Sequence, residues 1–417
     1  MQPGNAHRGR ERPTAGRDDA GRDDAGPDGT RDAPPLTGLR VLDLSRVLAG
    51  PWATQTLADL GADVVKVERP GAGDDTRGWG PPFVGEGEAR AAAYFHGTNR
   101  SKRSVAIDLG SGDGLERLRG LVRRADVLVE NFRAGGLARM GLDRDALAAL
   151  NPSLIVCSIT GFGQDGPRRD EPGYDAMIQA MSGHMSVTGG TEGPQKIGVA
   201  LMDVMSGLYA AVAIQAALLR RARTGRGEHI DIALLDVAVA TLANQAMNYL
   251  AGGEAPGRLG TAHPNIVPYQ AFGCVDGHVM IAVGNDAQFA RLCGVLGLDG
   301  LPDDDAFRTN AARVGNREAV VSRIGDALAH RKLDPLLAAL AEAGVPSGPI
   351  NTIDRVFADP QVVARGMRLD MGGVPGVRTP IRFEGAGTAA PRPSPGLGAD
   401  GDDVLADPAW GGGADPG

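Results

Sequence analysis

The sequence predicts an α/β protein, in which a doubly wound parallel sheet forms a large domain and a smaller α+β domain follows. Three observations support this prediction. Short apolar strands alternate with helices between residues 39 and 250, as in a parallel sheet with helical crossovers. The composition changes at the glycine-rich loop 251–257, and alternating strands with amphipathic helices come next. At 417 residues, the chain is long enough for two domains with their own cores.

The first strand–helix–strand unit lies between residues 39 and 68. Strands are predicted at 39–44 and 63–68, and between them a helix that Pro51 opens and Gly61 ends. The turn between the first strand and this helix, residues 45–51, lacks the GxGxxG pattern of dinucleotide-binding folds. The sequence therefore predicts no nicotinamide binding of the usual kind.

The same alternation continues through the large domain. Further strands are predicted at residues 104–108, 126–130, 154–158 and 228–232. Helices are predicted at 113–124, 199–219 and 236–250, with a pair of helices around 136–150. Ligands of such folds bind beyond the carboxyl ends of the strands. A single basic residue at or near such an end is usually a solvated charge, whereas a cluster of them would neutralise a polyphosphate ligand. The basic residues there are Arg46, Arg69, Lys102, Arg103, Arg133 and Arg139.

The second half of the chain predicts the smaller domain and a return to the larger one. Strands are predicted at 269–272 and 278–283, and helices at 286–296, 318–330, 333–342, 352–357 and 361–366. The predicted organisation is a large domain at 36–225, a linker and small domain at 226–345, and a return segment at 346–395 that completes the large domain.

Both ends of the chain have low-complexity composition. Residues 1–35 contain a tandem GRDDA repeat, and residues 396–417 are rich in Gly, Pro and Asp, so both are predicted to be disordered. The first tail lacks the apolar core of a signal peptide. Three widely spaced cysteines, Cys157, Cys274 and Cys293, are predicted to be buried reduced thiols. We therefore expect a cytoplasmic protein.

The longest apolar run, residues 199–219, is predicted to be a helix buried on most sides. Asp203, its one charged residue, falls in or just before the first turn, where backbone N–H groups and the helix dipole favour a carboxylate. From the local pattern alone, a helix N-cap is the favoured interpretation of Asp203. Asp203, Ser206 and Gln215 interrupt the run, and many of its residues are alanine, so a membrane span is not predicted.

The overall charge and the cysteine spacing bear on ligand class. A net charge of −8 does not favour nucleic-acid binding, which usually needs a basic excess or stripe. The cysteines have no CxxC motif and no histidine at metal-binding spacing. Small anionic ligands remain compatible with the composition, because they need only a local group of Arg and Lys.

Nine stretches of the chain form a set that occurs in order between about residues 35 and 395. They are residues 35–43, 49–51, 60–70, 99–104, 130–133, 159–163, 172–175, 263–265 and 343–346. Together they resemble the class III coenzyme A transferases, the family that includes formyl-CoA transferase, carnitine CoA-transferase and 2-methylacyl-CoA racemase.

The resemblance implies a set of functional residues. The nucleophilic aspartate of the family, which heads its apolar helix, falls on Asp203. Coenzyme A and acyl-CoA are substrates, with no tightly bound cofactor, and the second substrate is a small carboxylic acid. An interlocked homodimer is also implied, in which each chain threads through a hole in its partner. The implied CoA-site residues are Val47, Leu48, Ala49, Arg69, Asn99, Lys102, Asn131, Phe132, Arg139 and Tyr174.

One position separates transfer from racemisation within the family. The racemases carry a Gly-His-Asp motif, where this chain has Tyr174, and a phenol with a pKa near ~10 is a poor base at neutral pH. Transfer is therefore favoured. The alternatives are a racemase that uses another base, with His184 as the local imidazole, and a CoA-binding protein without turnover. The loop 252–254 is a thin counterpart of the glycine-rich flap of formyl-CoA transferase.

Overall fold

The computed structural model describes residues 32–87 and 90–410; the GRDDA repeat and residues 411–417 lie outside the described residues. The strands are β1 (Arg40–Asp43), β2 (Asp63–Glu68), β3 (Phe83–Val84), β4 (Ala91–Ala92), β5 (Arg103–Ala106), β6 (Val127–Glu130), β7 (Ile155–Thr160), β8 (Glu228–Ala233), β9 (Tyr269–Cys274), β10 (Gly277–Ala282), β11 (Ser347–Pro349), β12 (Arg368–Met371) and β13 (Val374–Val377).

The helices of the large domain come first along the chain. They are α1 (Ala49–Asp59), α2 (Ala93–His96), α3 (Gly112–Arg124), α4 (Gly136–Arg139), α5 (Arg144–Leu150), α6 (Asp175–Met181), α7 (His184–Val187), α8 (Leu201–Thr224), α9 (Leu234–Thr241) and α10 (Ala243–Gly252). The others are α11 (Asp286–Leu296), α12 (Asn310–Gly315), α13 (Arg317–Leu328), α14 (Leu333–Glu342), α15 (Ile353–Ala358), α16 (Pro360–Ala364) and α17 (Gly401–Ala406), with 3-10 helices at Asp75–Gly78 and Pro408–Trp410.

Six strands form one parallel sheet in the order β5-β2-β1-β6-β7-β8. Successive side chains of a strand point to opposite faces. Val41 and Val127 therefore pack with α1 and α8 on one face, and Leu42 and Leu128 pack with α3 and α5 on the other. The large parallel sheet with helices on both faces is as the sequence predicts. In this strand order the direction of winding reverses between β1 and β6, which creates a crevice at their carboxyl ends.

The smaller unit has its own antiparallel sheet and core. Strands β11, β10 and β9 pair in that order, and a separate apolar cluster extends from Val267 to Val345 around α11, α13 and α14. Two boundaries differ from those expected. The large sheet continues through β8 to Ala233, and the small sheet ends only at Pro349, because strand pairing rather than composition decides which sheet a segment joins.

The long apolar helix α8 is buried on one face only. Its Met202, Ala210 and Ile214 are buried against the sheet and α1, whereas Val212 and Leu219 are 64% and 67% exposed. The expectation of burial on most sides is therefore wrong for the single chain. By length and composition α8 could cross a membrane, but the buried face shows that it is a core helix of the large domain.

The predicted disorder at the ends is wrong for the residues that the structure describes. Asp32 pairs with Ala386, within the amino-terminal segment expected to be disordered. In the carboxyl-terminal segment, Val404 and Trp410 are buried in the core on one side of the large sheet, and the Trp410 indole donates to Asp63 at 2.7 Å. These two apolar side chains, together with the bond from the Ser104 N–H to the Asp400 carboxylate at 2.8 Å, hold this Gly- and Asp-rich segment against the large domain.

The helix expected at 236–250 is two helices, α9 and α10. Ala243, at their junction, has a left-handed backbone (φ 46°) that interrupts the helix. The three cysteines are free thiols. Cys157 and Cys293 are buried as expected, and Cys274 is partly exposed.

Candidate active site

A cleft of about 650 Å³ opens where β1 and β6 end. The loop after β1, the loop after β6 and the start of α8 form its walls. Eight of the residues named from the sequence line it: Val47, Leu48, Ala49, Asn131, Phe132, Arg139, Tyr174 and Asp203. The crevice predicted by the strand order and the residues predicted by the motifs thus coincide.

The loop between β1 and α1 is held in a strained conformation. Val47 has φ 71°, in the left-handed region that β-branched residues rarely enter, at a cost of about 1–3 kcal/mol. Its N–H donates to the Asp74 carboxylate at 3.3 Å. Asn131 holds the preceding residue, because it accepts from the Arg46 N–H at 2.9 Å and donates to the Arg46 carbonyl at 2.7 Å.

A second loop pair closes the other side of the cleft. Gly161 follows β7, and Gly173 precedes Tyr174; a Cβ on Gly161 would lie 2.5 Å from the Gly173 Cα. The two backbones can approach this closely only because neither residue has a side chain. This approach brings the exposed Tyr174, 63% accessible, to the cleft wall.

Asp203 is the third residue of α8 and is not its N-cap. The N-cap position is Ala200, which has no side-chain cap. Asp175, the first residue of α6, caps the start of α8 instead. Its carboxylate accepts from the Met202 N–H at 2.8 Å and from the Asp203 N–H at 3.4 Å. The favoured interpretation from local pattern is therefore wrong, and the Asp203 carboxyl is left for the cleft.

Burial, and secondarily the charge of Asp175, raise the pKa of Asp203 to about 7. The helix end does not hold Asp203 ionised, because its first N–H groups are already bonded to Asp175. A carboxylate that is poorly solvated and lies beside a like charge gains from losing its own charge. Attack on an electrophilic carbon has that effect, so this environment favours a nucleophilic role.

Basic side chains surround the cleft as the strand-end pattern predicts, but not all of them contribute. Arg46, Arg133, Arg139 and Arg169 line it. Arg69 lines an adjoining cavity of about 290 Å³, which shares Arg46, Phe132 and Met140 with the cleft.

Three predicted basic or polar side chains do not reach the cleft. Lys102 is fully buried, and its Nζ donates to Asp43 at 2.9 Å and to the Asn99 amide oxygen at 2.8 Å. Arg103, at the start of β5, pairs with Asp63 and Asp407. Direct ligand contact from the side chains of Lys102 and Asn99 is not supported by this geometry. Sequence position before a strand does not reveal whether a cation has an internal partner.

The structure adds one site residue that the sequence did not single out, Asp175. Its partner Gln179, four residues along α6, donates to it at 2.7 Å; this i,i+4 spacing is the available sequence signal. Tyr94 lies outside the cleft lining, and burial and then the charges of Asp203, Asp175 and Asp74 raise the pKa of its phenol.

The imidazole of His184 is an internal hydrogen-bonding group. Its Nδ1 lies 3.0 Å from the Ser182 hydroxyl, and its Nε2 lies 3.5 Å from the Thr241 hydroxyl. Burial lowers its pKa, against the opposing charge of Asp175. His184 is absent from the cleft lining, which does not favour a racemase that uses it. Among residues 32–87 and 90–410, no group of three His, Cys, Asp or Glu residues could hold a metal ion.

Comparison with known proteins identifies the family. The family model described as CoA-transferase family III matches residues 36–401. Succinate–glutarate CoA-transferase of Agrobacterium fabrum is 54% identical over 383 residues, which cover 90% of this chain and 96% of that protein. Human succinyl-CoA:glutarate CoA-transferase is 44% identical, over 87% of this chain and 84% of that protein.

A solved structure shows the same fold. The crystal structure of a CaiB/BaiF family protein from Brucella suis superposes with a TM-score of 0.82 at 55% identity, over 90% of this chain and 99% of that one. The chain therefore belongs to CoA-transferase family III. It is a CoA-transferase, an enzyme that moves CoA from an acyl-CoA to a carboxylic acid.

Proposed function

We propose that this enzyme transfers CoA between dicarboxylic acids through covalent intermediates on Asp203. The observation that carries the proposal is the position of Asp203, a carboxyl with a pKa raised to about 7 in the wall of an arginine-lined cleft. No other buried carboxyl with a raised pKa lines this cleft among the described residues.

The CoA moiety is assigned to the cleft and its side cavity. Arg46, Arg133 and Arg139 would hold the phosphates, since arginine forms strong charge-assisted bonds with phosphate oxygens. The side cavity, with Arg69 at its wall and apolar Ile107 and Leu109 beside it, would take the nucleotide end. The thioester then points toward Asp203.

The reaction is a series of acyl substitutions. Asp203 attacks the thioester carbonyl of the donor, which releases CoA thiolate and leaves a mixed anhydride. The thiolate attacks the Asp203 carbonyl, so that an aspartyl-CoA thioester forms and the donor acid leaves. The acceptor carboxylate attacks this thioester, and the released thiolate then attacks the acceptor carbonyl of the new anhydride. Asp203 is regenerated with one oxygen from the acceptor.

Backbone N–H groups of the strained loop are available to the developing oxyanion. Leu48 is the N-cap of α1 and has no side-chain cap bond, and Ala49 is the first residue of the helix. Both line the cleft with Asp203. N–H groups in a first helical turn have no partner within the helix, so they suit an anionic oxygen.

The names of the similar proteins indicate the substrate class. Both curated relatives described above are named for succinate or succinyl-CoA and glutarate, and the identity of 54% extends over almost the whole of one of them. We infer that four- and five-carbon dicarboxylic acids serve as donor and acceptor acids. Arg169, in the loop that leads to Tyr174 at the cleft wall, would pair with the second carboxylate.

The same proposal includes an interlocked homodimer that acts in the cytoplasm. Large apolar side chains on α8 and α10 remain exposed in the single chain, which a monomer in water would rarely tolerate over such an area. They include Tyr209, Val212, Leu219, Met247 and Leu250. A second copy of the chain over these helices would remove them from water.

The test is the Asp203→Asn variant with succinyl-CoA and glutarate. The amide keeps the size of the side chain but is not a nucleophile, so turnover is expected to fall at least about 10³-fold, the scale of losing an essential nucleophile, while CoA still binds. With ¹⁸O-labelled glutarate, the wild-type Asp203 side chain is expected to gain label in a peptide mass spectrum. Glu192→Asn, an exposed acidic residue outside the cleft lining, is the matched control.

Two outcomes would contradict the proposal. Turnover by the Asn variant, with deamidation excluded by mass spectrometry, would remove Asp203 from the mechanism. Deuterium at the α-carbon of a 2-methylacyl-CoA in heavy water, with no label on Asp203, would favour racemisation, because transfer never breaks that C–H bond.

A further inference from the structure

Four charged side chains are buried together beneath the loop after β1. None of them lines the cleft that holds Asp203, although Lys66 and Asp74 lie under the wall of the side cavity. The four side chains form two ion pairs, Lys66–Asp74 at 3.0 Å and Lys102–Asp43 at 2.9 Å. In the Lys66–Asp74 pair the surrounding charges outweigh the effect of burial, so the pKa of Lys66 is raised and that of Asp74 is lowered. Burial outweighs the charge of Asp43 at Lys102 and lowers its pKa to about 8. Buried ion pairs are weak contributors to stability compared with apolar side chains, so their presence here calls for another role.

The Lys66–Asp74 pair holds consecutive peptide groups of the loop. The Lys66 ammonium donates to the Ser45 carbonyl at 2.7 Å, and both Asp74 oxygens accept from the Val47 N–H. Both side chains are fully enclosed, so water does not compete for these bonds. The other pair contacts Pro51 and Thr54 in α1, and its Asp43 also accepts from the Ser45 N–H at 3.0 Å.

The held loop touches the helix face that carries Asp203. Gly207 lies one turn after Asp203, on the same side of α8. A Cβ on Gly207 would be 2.6 Å from the Ala49 carbonyl oxygen, so the end of the loop is in van der Waals contact with α8. A change in the backbone at Val47 would therefore move Leu48 and Ala49 relative to Asp203.

We propose that Lys66 and Asp74 are positioning residues for CoA transfer, which keep Val47 left-handed so that the Leu48 and Ala49 N–H groups are aligned with the carbonyl that Asp203 attacks. The inference rests on the proposed transfer at Asp203. The neighbouring Lys102–Asp43 pair supports the start of α1 and Ser45 at the start of the loop, whereas the Lys66–Asp74 pair bonds to the Val47 N–H.

The test replaces the pair by neutral side chains of similar size, Lys66→Met with Asp74→Leu. A single change would leave an unpaired buried charge and could unfold the protein. The double variant is expected to lose about 10- to 100-fold in kcat, the scale of a small misalignment, with the KM for succinyl-CoA within about threefold of wild type. Thr76→Val removes the Thr76 hydroxyl bond to Asp74 but keeps the ion pair, and should retain kcat.

Rescue distinguishes alignment from general stability. Glycine adopts a positive φ without steric cost, so Val47→Gly added to the double variant should recover about tenfold of kcat. Ala243→Gly, at another left-handed position outside the cleft lining, should recover none. If Lys66→Met with Asp74→Leu does not fold, Lys66→Gln with Asp74→Asn replaces it, with an expected loss of about tenfold.

Three results would overturn the inference. They are a folded neutral-pair variant with wild-type kcat, a loss of kcat that Val47→Gly leaves unchanged, and an equal recovery by Ala243→Gly. Asp203→Asn is assayed in parallel. An active Asn variant would contradict transfer at Asp203, whereas an inactive Asn variant beside a fully active neutral pair would contradict only the positioning role.

Discussion

At the scale of single residues, Asp203 shows how a site carboxyl is tuned by what surrounds it. Asp175 takes the free N–H groups at the start of α8, and this one arrangement has two effects. It satisfies the helix end, and it places a negative charge near Asp203, which adds to the effect of burial on the pKa. The Asp203 carboxylate therefore lowers the free energy of unfolding when it is ionised.

This cost predicts an unusual dependence of stability on pH. Because the folded-state pKa of about 7 lies above the ordinary value of an aspartate, the folded protein binds the proton more tightly than the unfolded chain. The free energy of unfolding that this residue contributes is complete below about pH 4 and is lost as pH rises toward 7. The Asp203→Asn side chain does not ionise, so this variant does not lose that free energy of unfolding as pH rises. Its melting temperature should exceed that of wild type by a few degrees at pH 8, and by less at pH 5.

Differential scanning calorimetry at pH 5 and pH 8 measures the difference in melting temperature between Asp203→Asn and wild type. A gap between variant and wild type that is the same at pH 5 and pH 8 would show that Asp203 does not titrate in this window. The same titration should appear in catalysis, where kcat/KM rises with pH through about 7, because only the ionised carboxylate attacks the thioester.

At the scale of elements, the contact between α1 and α8 sets the geometry of the cleft. Gly207 lets the two helices approach, since a Cβ there would meet the Ala49 carbonyl oxygen at 2.6 Å and the Trp52 Cβ at 3.0 Å. The sequence shows this glycine as a weak point in a helix. In the structure it is the residue that allows the loop after β1 to reach the helix face with Asp203.

Gly207→Ala is therefore expected to harm both folding and catalysis. Overpacking against backbone should cost about 1–3 kcal/mol of unfolding free energy, and the shift of α8 should lower kcat by about tenfold or more. Gly120→Ala in α3, where a Cβ meets nothing within 4 Å, is the matched control and should be neutral or slightly stabilising. Urea unfolding and steady-state kinetics measure the two effects; equal behaviour of the two variants would show that the contact is not restrictive.

At the scale of the whole molecule, the exposed apolar face of α8 and α10 is the feature that a single chain leaves unexplained. The proposed dimer predicts a particle of twice the 43.0 kDa chain mass at micromolar concentration. Val212→Lys with Leu219→Lys should weaken or abolish it, because two charges would be buried at the interface. Val275→Lys, equally exposed but in the β9–β10 turn, should leave the dimer intact. Sedimentation equilibrium that shows a stable wild-type monomer would contradict the dimer.

The strands, the helices and the class of the large sheet follow from local information in the sequence. β-Branched runs such as residues 63–68 and helix boundaries such as Gly225 depend on interactions within a few residues, and alternating strands and helices then predict a parallel sheet with right-handed crossovers. The motifs around Asn131 and Asp203 predict site residues at strand and helix ends, and both residues line the cleft in the structure. The small domain was likewise visible as a change in composition.

Long-range contacts decided the rest, because a sequence pattern does not show which distant groups meet. Asp203 and Asp175 are 28 residues apart, and only their packing shows which one caps α8. In the sequence, Lys102 is a cation next to a predicted strand end. Only the structure shows that it forms a buried ion pair with Asp43. Trp410 orders a segment of disordered composition because it reaches Asp63 across 347 residues. Charge, composition and periodicity determined the elements of this protein, whereas burial, which depends on the whole fold, determined what its charged residues do.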